Sequence, residues 1–285
     1  MRSFNTSNAM PHNKETHFGH GYALFNMGSY TQAVQSFDNA IAIDPKYKEA
    51  HYGRGRASTL ASQYIEAVQS FDNAIAIDPK YKEAHNGRGN ALTLVSHYTE
   101  AVQSFNKAIA IDPRCIASHN GCGTALLLQG NYTNALQAYD TAIAIDPNLK
   151  QAQDRRQFTT LLMSMEFAAA IEICDQNIAI ETSAKGWQMC KALAEDLRSK
   201  MEKASQEAFE HFTQGHALFD QGKHANAVQS FDKAIALNPK LKKAHYERGL
   251  ALNEQSNYAD AVQSYDKAIA IDPRYKEAHY NRGHA

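Results

Sequence analysis

Histidine, aspartate and arginine, side chains that could hold a metal or move a proton, recur in this chain at fixed intervals. His17, His51, His85 and His119 stand 34 residues apart, as do His211, His245 and His279. An imidazole stripe suggests zinc. Stacked helices lie about 8–10 Å apart, however, whereas the ligands of one ion converge to about 2 Å from it, so equivalent histidines in adjacent units cannot share a metal. They are expected to pack within the fold. Asp44, Asp78, Asp112, Asp146 and Asp272 each precede a proline. An active site needs unlike groups converging, so one carboxylate per repeat is expected to shape a turn. Arg54, Arg88, Arg248 and Arg282 have stems that can cover apolar surface while the guanidinium reaches water or a neighbouring unit's aspartate. Cys115, Cys122, Cys174 and Cys190 show no C-x-x-C spacing and read as reduced thiols. No nucleophile-elbow, phosphate-loop, zinc-ligand or dinucleotide motif occurs. The chain is expected to have no catalytic residue, no metal and no cofactor.

Charge argues against one large class of partner. Lys and Arg number 29 against 30 Asp and Glu, so the positive surface that neutralises nucleic-acid phosphates is lacking. The first thirteen residues, MRSFNTSNAMPHN, are polar, and the longest apolar cluster, ALLL at 125–128, cannot span a bilayer. A cytoplasmic protein touching neither nucleic acid nor membrane is expected.

The elements that position these side chains follow from a repeated phrase. AVQSFDNAIAIDPKYKEAH runs from Ala33 to His51 and again from Ala67 to His85, and looser copies begin at Ala101, Ala135, Ala227 and Ala261. A fixed period of this size marks stacked supersecondary units. Ala33, Val34, Phe37, Ala40, Ile41 and Ile43 fall at near-helical spacing and Pro45 stops the segment, which predicts a second helix. A first helix is predicted from about Glu49 to Ala61, followed by a turn at Ser62 to Tyr64. Two helices cannot close a core alone, so successive pairs must stack.

These units resemble the tetratricopeptide repeat. With the recurrent proline at repeat position 32, units begin at Lys14, Lys48, Lys82, Ile116, Ala208 and Lys242. The family's small residue at position 8 is matched by Gly21, Gly55, Gly89, Gly123, Gly215 and Gly249, its alanine at 20 by Ala33 and equivalents, and its aromatic at 24 by Phe37, Phe71, Phe105, Tyr139, Phe231 and Tyr265. The resemblance implies an all-α, right-handed helix-turn-helix solenoid in which glycine and alanine permit close helix approach and the aromatic fills the space between. Leucine at Gly89 is expected to overpack that contact and lower stability by about 1–3 kcal/mol, read by thermal denaturation. Lys150–Glu181 keeps a repeat-like second half but lacks the glycine and the proline and carries one extra residue, so it reads as a degenerate fifth unit. The expected organisation is a disordered polar leader over 1–13, an amino-terminal array over 14–181, a helical linker over 182–207, and a carboxy-terminal array over 208–285 holding two units and a first helix cut short, so that the chain reads as a fragment.

In this family the first helices line the concave side, where positions 2, 5, 9, 12 and 13 face a ligand. Carried onto this sequence, that implies a partner-binding groove formed by Tyr52, Arg56, Asn86, Asn90, Asn120 and Thr124 in the first array and Phe212, His216 and Tyr246 in the second. Near-identical units diverge at these positions. Asparagines can hydrogen-bond an extended peptide, and Tyr and Arg are common at binding hot spots. Each array also opens with an aromatic face, Phe18, Tyr22 and Phe25, then Phe209, Phe212 and Phe219, available to a partner or to covering segments. The clamp some relatives use for an acidic carboxyl terminus is missing, because position 6 holds Gly19, Gly53, Gly87 and Gly121.

Cys190, Ala194, Leu197, Met201, Ala204 and Ala208 form a short heptad seam, read as a helix packed on the preceding array or, secondly, as weak self-association through the 185–207 helix. The resemblance implies a scaffold that holds a peptide or helical segment of a protein partner and performs no chemistry. The alternative is the substrate-recruiting arm of an enzyme whose catalytic domain is absent from this chain. Recently copied repeats also occur in secreted bacterial effectors.

Overall fold

The computed structural model describes residues 13–180 and 185–285. Residues 1–12 of the expected leader, and 181–184 where the expected linker begins, lie outside them. Among the described residues there are fifteen helices and no strand. Successive pairs are α1 (Lys14–Asn26) with α2 (Tyr30–Ile43), α3 (Lys48–Leu60) with α4 (Tyr64–Ile77), α5 (Lys82–Leu94) with α6 (Tyr98–Ile111), α7 (Ile116–Leu128) with α8 (Tyr132–Ile145), and α9 (Lys150–Met163) with α10 (Phe167–Ile180). Then come the long α11 (Lys185–Asp220), α12 (His224–Leu237), α13 (Lys242–Glu254), α14 (Tyr258–Ile271) and α15 (Lys276–Arg282). The chain forms two compact units, one ending at Ala194 and the other starting at Glu195, so the division falls inside α11. Each is the all-α repeat stack that the periodicity predicted.

Two kinds of turn punctuate the stack. Between paired helices one residue is left-handed: Gly28 at φ 77°, Gly130 at 85° and Gly222 at 72°, but Ser62, Ser96, Met165 and Ser256 at 62°, 64°, 63° and 59°. Glycine takes this conformation without steric cost, and the serines and Met165 accept a penalty there. Between units the aspartate before the proline accepts from the backbone N–H two residues on, as Asp44 Oδ1 does from Lys46 and Asp78 Oδ1 from Lys80, both at 3.0 Å. That is the turn-forming role expected of these carboxylates.

In the first three repeats the core is one aromatic ring, Phe37, Phe71 or Phe105, held between glycines of two successive first helices, whereas Tyr139, Phe231 and Tyr265 meet a glycine on one side only and Arg155, Glu247 or Asn281 stands at the other. A Cβ built on Gly55 or Gly87 would lie 2.8 or 2.6 Å from the Phe71 ring, and one built on Gly89 or Gly121 would lie 2.7 or 2.5 Å from Phe105. At Gly53, Gly87 and Gly121, position 6 glycine is therefore as necessary as position 8. This is the physical cause of the loss expected from Gly89→Leu, and it explains why Gly53, Gly87 and Gly121 leave no room for a ligand-binding side chain at position 6.

Three polar rails run along the stack. Nε2 of His51, His85, His119 and His245 donates to the carbonyl oxygen of Pro45, Pro79, Pro113 and Pro239 at 3.0 Å, so these imidazoles tie each first helix to the preceding turn. Arg54, Arg88 and Arg248 reach back with Nε to Asp38, Asp72 and Asp232 and forward with Nη1 to Ser70, Ser104 and Ser264, all at 2.6 Å. The expected contact with a neighbouring unit's aspartate is thus made. Lys14, Lys48, Lys82 and Lys242 bind Asp44, Asp78, Asp112 and Asp272 at 2.5–2.7 Å.

The lysine rail predicts a pH dependence. The hydrogen bond from lysine, aided by the backbone N–H, holds Asp44, Asp78, Asp112 and Asp272 below the ordinary 3.8. A depressed carboxyl pKa contributes stability that is complete above the unfolded value and is lost as pH falls through the folded one. The same bonds raise Lys14, Lys48 and Lys82 above 10.5, a contribution complete below that value and lost at higher pH. The thermal midpoint should therefore fall when pH drops below about 4, and Asp78→Asn with Asp112→Asn should reduce that fall.

The fifth pair departs from the pattern. Helix α9 has 14 residues where α3, α5 and α7 have 13. Gln157 stands at the glycine place, Cys174 at the aromatic place and Asn177 at an alanine place, and α9 and α10 border a cleft of about 540 Å³. The beginning of α11 covers this pair. Trp187 is buried edge-on against Phe158 at 6.3 Å, and Lys191 binds Asp175 at 2.7 Å across the 16-residue separation of Arg54 and Asp38. Within the heptad seam, Cys190 and Ala194 are buried in the first unit and Ala208 in the second, while Met201 is 42% exposed.

Candidate functional site

In the first unit the sequence-predicted groove residues divide into two groups. Tyr52, on α3, packs its ring on Phe71 at 5.9 Å and Tyr81 at 5.2 Å, and burial raises its hydroxyl pKa. One turn on, the Arg56 guanidinium lies 4.4 Å from the Phe25 ring centroid and 5.8 Å from that of Tyr52. Phe25 stacks on Tyr22 at 6.5 Å, Tyr22 is 48% exposed, and Phe18 follows at 6.4 Å. The aromatic opening face and the Tyr52–Arg56 pair, read separately in the sequence, are therefore one continuous surface across α1 and α3. The contact of Phe25 with Arg56 was not anticipated. Its signal is positional, since a position 12 side chain meets position 9 of the next unit.

The polar candidates on α5 and α7 are mostly engaged within the stack. Asn86 accepts from Ser118 Oγ at 3.1 Å, and Asn120, 8% exposed, donates to Gln151 Oε1 at 3.3 Å. Thr124, 5% exposed, donates to the Asn120 carbonyl at 3.0 Å and accepts from the Tyr139 hydroxyl at 3.3 Å. Asn90 alone of these four is exposed.

In the second unit Phe212 stacks on His216, with ring centroids 6.5 Å apart and 4° between planes, and His216 Nδ1 lies 3.7 Å from Glu247. Burial raises the Glu247 carboxyl, and His216 partly offsets this. The Tyr246 hydroxyl accepts from Asn281 at 2.8 Å, and its ring packs on Tyr275 at 5.1 Å. Among the described residues no group of three or more His, Cys, Asp or Glu is placed to hold a metal ion, and no helix is long and apolar enough to cross a membrane.

Models described as tetratricopeptide repeat match residues 61–114, 116–149 and 212–283, and one described as TPR repeat matches residues 21–58, together more than half of the chain. The chain belongs to the tetratricopeptide-repeat family. Residues 150–211, between the matched spans, hold the fifth pair with Gln157, Cys174 and Asn177 in place of the small and aromatic residues of the family. Solved tetratricopeptide-repeat structures are similar in fold at low identity. A tetratricopeptide-repeat protein from Parabacteroides merdae is 15% identical, with 95% of this chain and 97% of that chain covered and a TM-score of 0.48. PilF of Pseudomonas aeruginosa is 12% identical, with 95% and 97% covered and a TM-score of 0.47. YrrB, described as having an unusual peptide-binding site, is 17% identical, with 88% and 99% covered and a TM-score of 0.41. No curated protein matches the sequence significantly.

Proposed function

We propose that this tetratricopeptide-repeat protein is a protein–protein interaction scaffold without chemistry of its own, and that the first-helix face of its amino-terminal unit holds a segment of a partner. The observation that carries this reading is the surface of Tyr22, Phe25, Arg56 and Tyr52, in which a guanidinium lies over two aromatic rings beside an exposed tyrosine. Tyr and Arg on a preorganised face are the residue types that dominate binding energy at interfaces, and guanidinium stacking fixes them before a partner arrives. Asn90, one repeat further on the same register, is free to hydrogen-bond an extended backbone. The remaining asparagines and Thr124 serve to space the helices that present this face.

Affinity capture from lysate tests the reading. The native chain should retain specific proteins that a folded Tyr52→Ala, Arg56→Ala, Asn90→Ala variant loses. Identical captures with both chains would place binding elsewhere.

A further inference from the structure

An arginine clip between repeats is whole at three junctions and reduced to Arg156–Asp140 at α9, and the α7 junction has none of it. Around α3, α5 and α13 an arginine joins an aspartate of the preceding second helix to a serine of the following one. Around α7 all three members differ: Cys122 stands for arginine, Asn106 for aspartate and Ala138 for serine. Cys122 Sγ and Asn106 Oδ1 are 3.9 Å apart.

The equivalent pocket one repeat earlier shows what this change does. Between α4, α5 and α6 it has about 240 Å³ and is lined by Asp72, Arg88 and Lys107 among others. Between α6, α7 and α8 it has about 350 Å³, and no Asp, Glu, Lys or Arg lines it. Val102, Ile109 and Leu126 form apolar walls, Cys122 closes the inner end, and the amides of Asn134 and Gln137 stand in the lining contributed by α8. Burial pushes the Cys122 thiol up to about 11, so at neutral pH the inner end is a neutral, weakly polar group. The volume is within the range of ligand-holding pockets, about 300–1,000 Å³. Cys122 follows Asn120 by two residues, which is about 200° around a helix, so the pocket opens on the side of α7 away from the proposed groove.

We infer that this pocket is a second recognition site, which takes an uncharged, apolar side chain of a protein partner in the space that an arginine fills at the neighbouring junctions. A charged occupant would meet no countercharge there, whereas at the α5 junction Asp72 supplies one. Asn134 and Gln137 can hydrogen-bond the backbone that carries such a side chain. The site goes beyond the groove and does not depend on it.

Restoring the clip tests the inference without weakening the fold, since Cys122→Arg, Asn106→Asp and Ala138→Ser copies an arrangement that the chain already uses at three junctions. A displayed library of random twelve-residue peptides is selected on the native full-length chain, and the recovered peptides are titrated against the native, clip-restored and Tyr52→Ala, Arg56→Ala, Asn90→Ala chains. A class of peptides with a shared leucine, methionine or aromatic residue should bind the clip-restored chain at least about tenfold more weakly and the groove variant as well as native, a difference of about 1.4 kcal/mol. If no recovered peptide separates the native chain from the clip-restored one, or if those that do share a charged residue, the inference is overturned. Binding of small aromatic molecules with no peptide class would also overturn the assignment to a partner side chain. Loss of binding only in the groove variant would support the groove and reject the pocket.

Discussion

Phe105→Ala is expected to destabilise the first unit by about 3–5 kcal/mol, the usual cost of removing a fully buried phenylalanine. The ring has no exposed surface and fills the gap between Gly89 and Gly121. Neither glycine has a side chain that could move into the void, so the site should relax poorly and the loss should lie toward the upper end. Because each repeat contacts only its neighbours, the break also uncouples the pairs on either side. Urea titration followed by circular dichroism measures this. A loss below about 1 kcal/mol would show that the glycine–aromatic–glycine layer is not the principal source of stacking.

Trp187→Ala is expected to cost a similar amount, about 3–5 kcal/mol, again in the first unit. Trp187 is fully buried, edge-on to Phe158, with the Arg155 guanidinium 5.3 Å from its ring centroid. It pins the beginning of α11 to a pair in which Gln157 and Asn177 replace two of the small residues that permit close approach. Trp187 is the chain's single tryptophan, so fluorescence reports directly on this packing. Native emission should be blue-shifted and resistant to iodide. Red-shifted, readily quenched emission, or an unchanged denaturation curve for Trp187→Ala, would contradict the packing of α11 on α9.

The sequence carried most of the fold because the repeat encodes the same contacts many times. Helical spacing, the stop at Pro45 and the glycines at fixed offsets each recur, and a pattern stated six times leaves little ambiguity about element type. The lysine–aspartate rail was missed although its signal was present: Lys48 and Asp78 are separated by the same 30 residues as Lys14 and Asp44. The segment after residue 184 showed no repeat signature because Trp187 and Cys190 replace the usual residues. Only the 16-residue separation of Asp175 and Lys191 preserved the inter-repeat contact.

The candidate site was less legible, because register gives the face of a helix but not what a side chain does there. Thr124 is placed like Arg56, yet it is buried: Tyr139 on α8 replaces phenylalanine, and its OH donates to Thr124. Tyr265 shows the opposite case, with Leu250 at the same register and a hydroxyl that is buried without a partner. The joint surface of α1 and α3 could be assembled only once Phe25 and Arg56 were seen in contact.

The central claim is that the face around Arg56 recognises a partner, and its most direct test is titration of a captured partner segment against single and double variants. Arg56→Ala with Asn90→Ala leaves Tyr52 and the buried core in place, so loss of fold does not confuse the result. Binding should weaken at least about tenfold, as expected when a hot-spot arginine is truncated, with the clip-restored chain binding the same segment as well as native. Equal affinity of the native and Arg56→Ala, Asn90→Ala chains would contradict it.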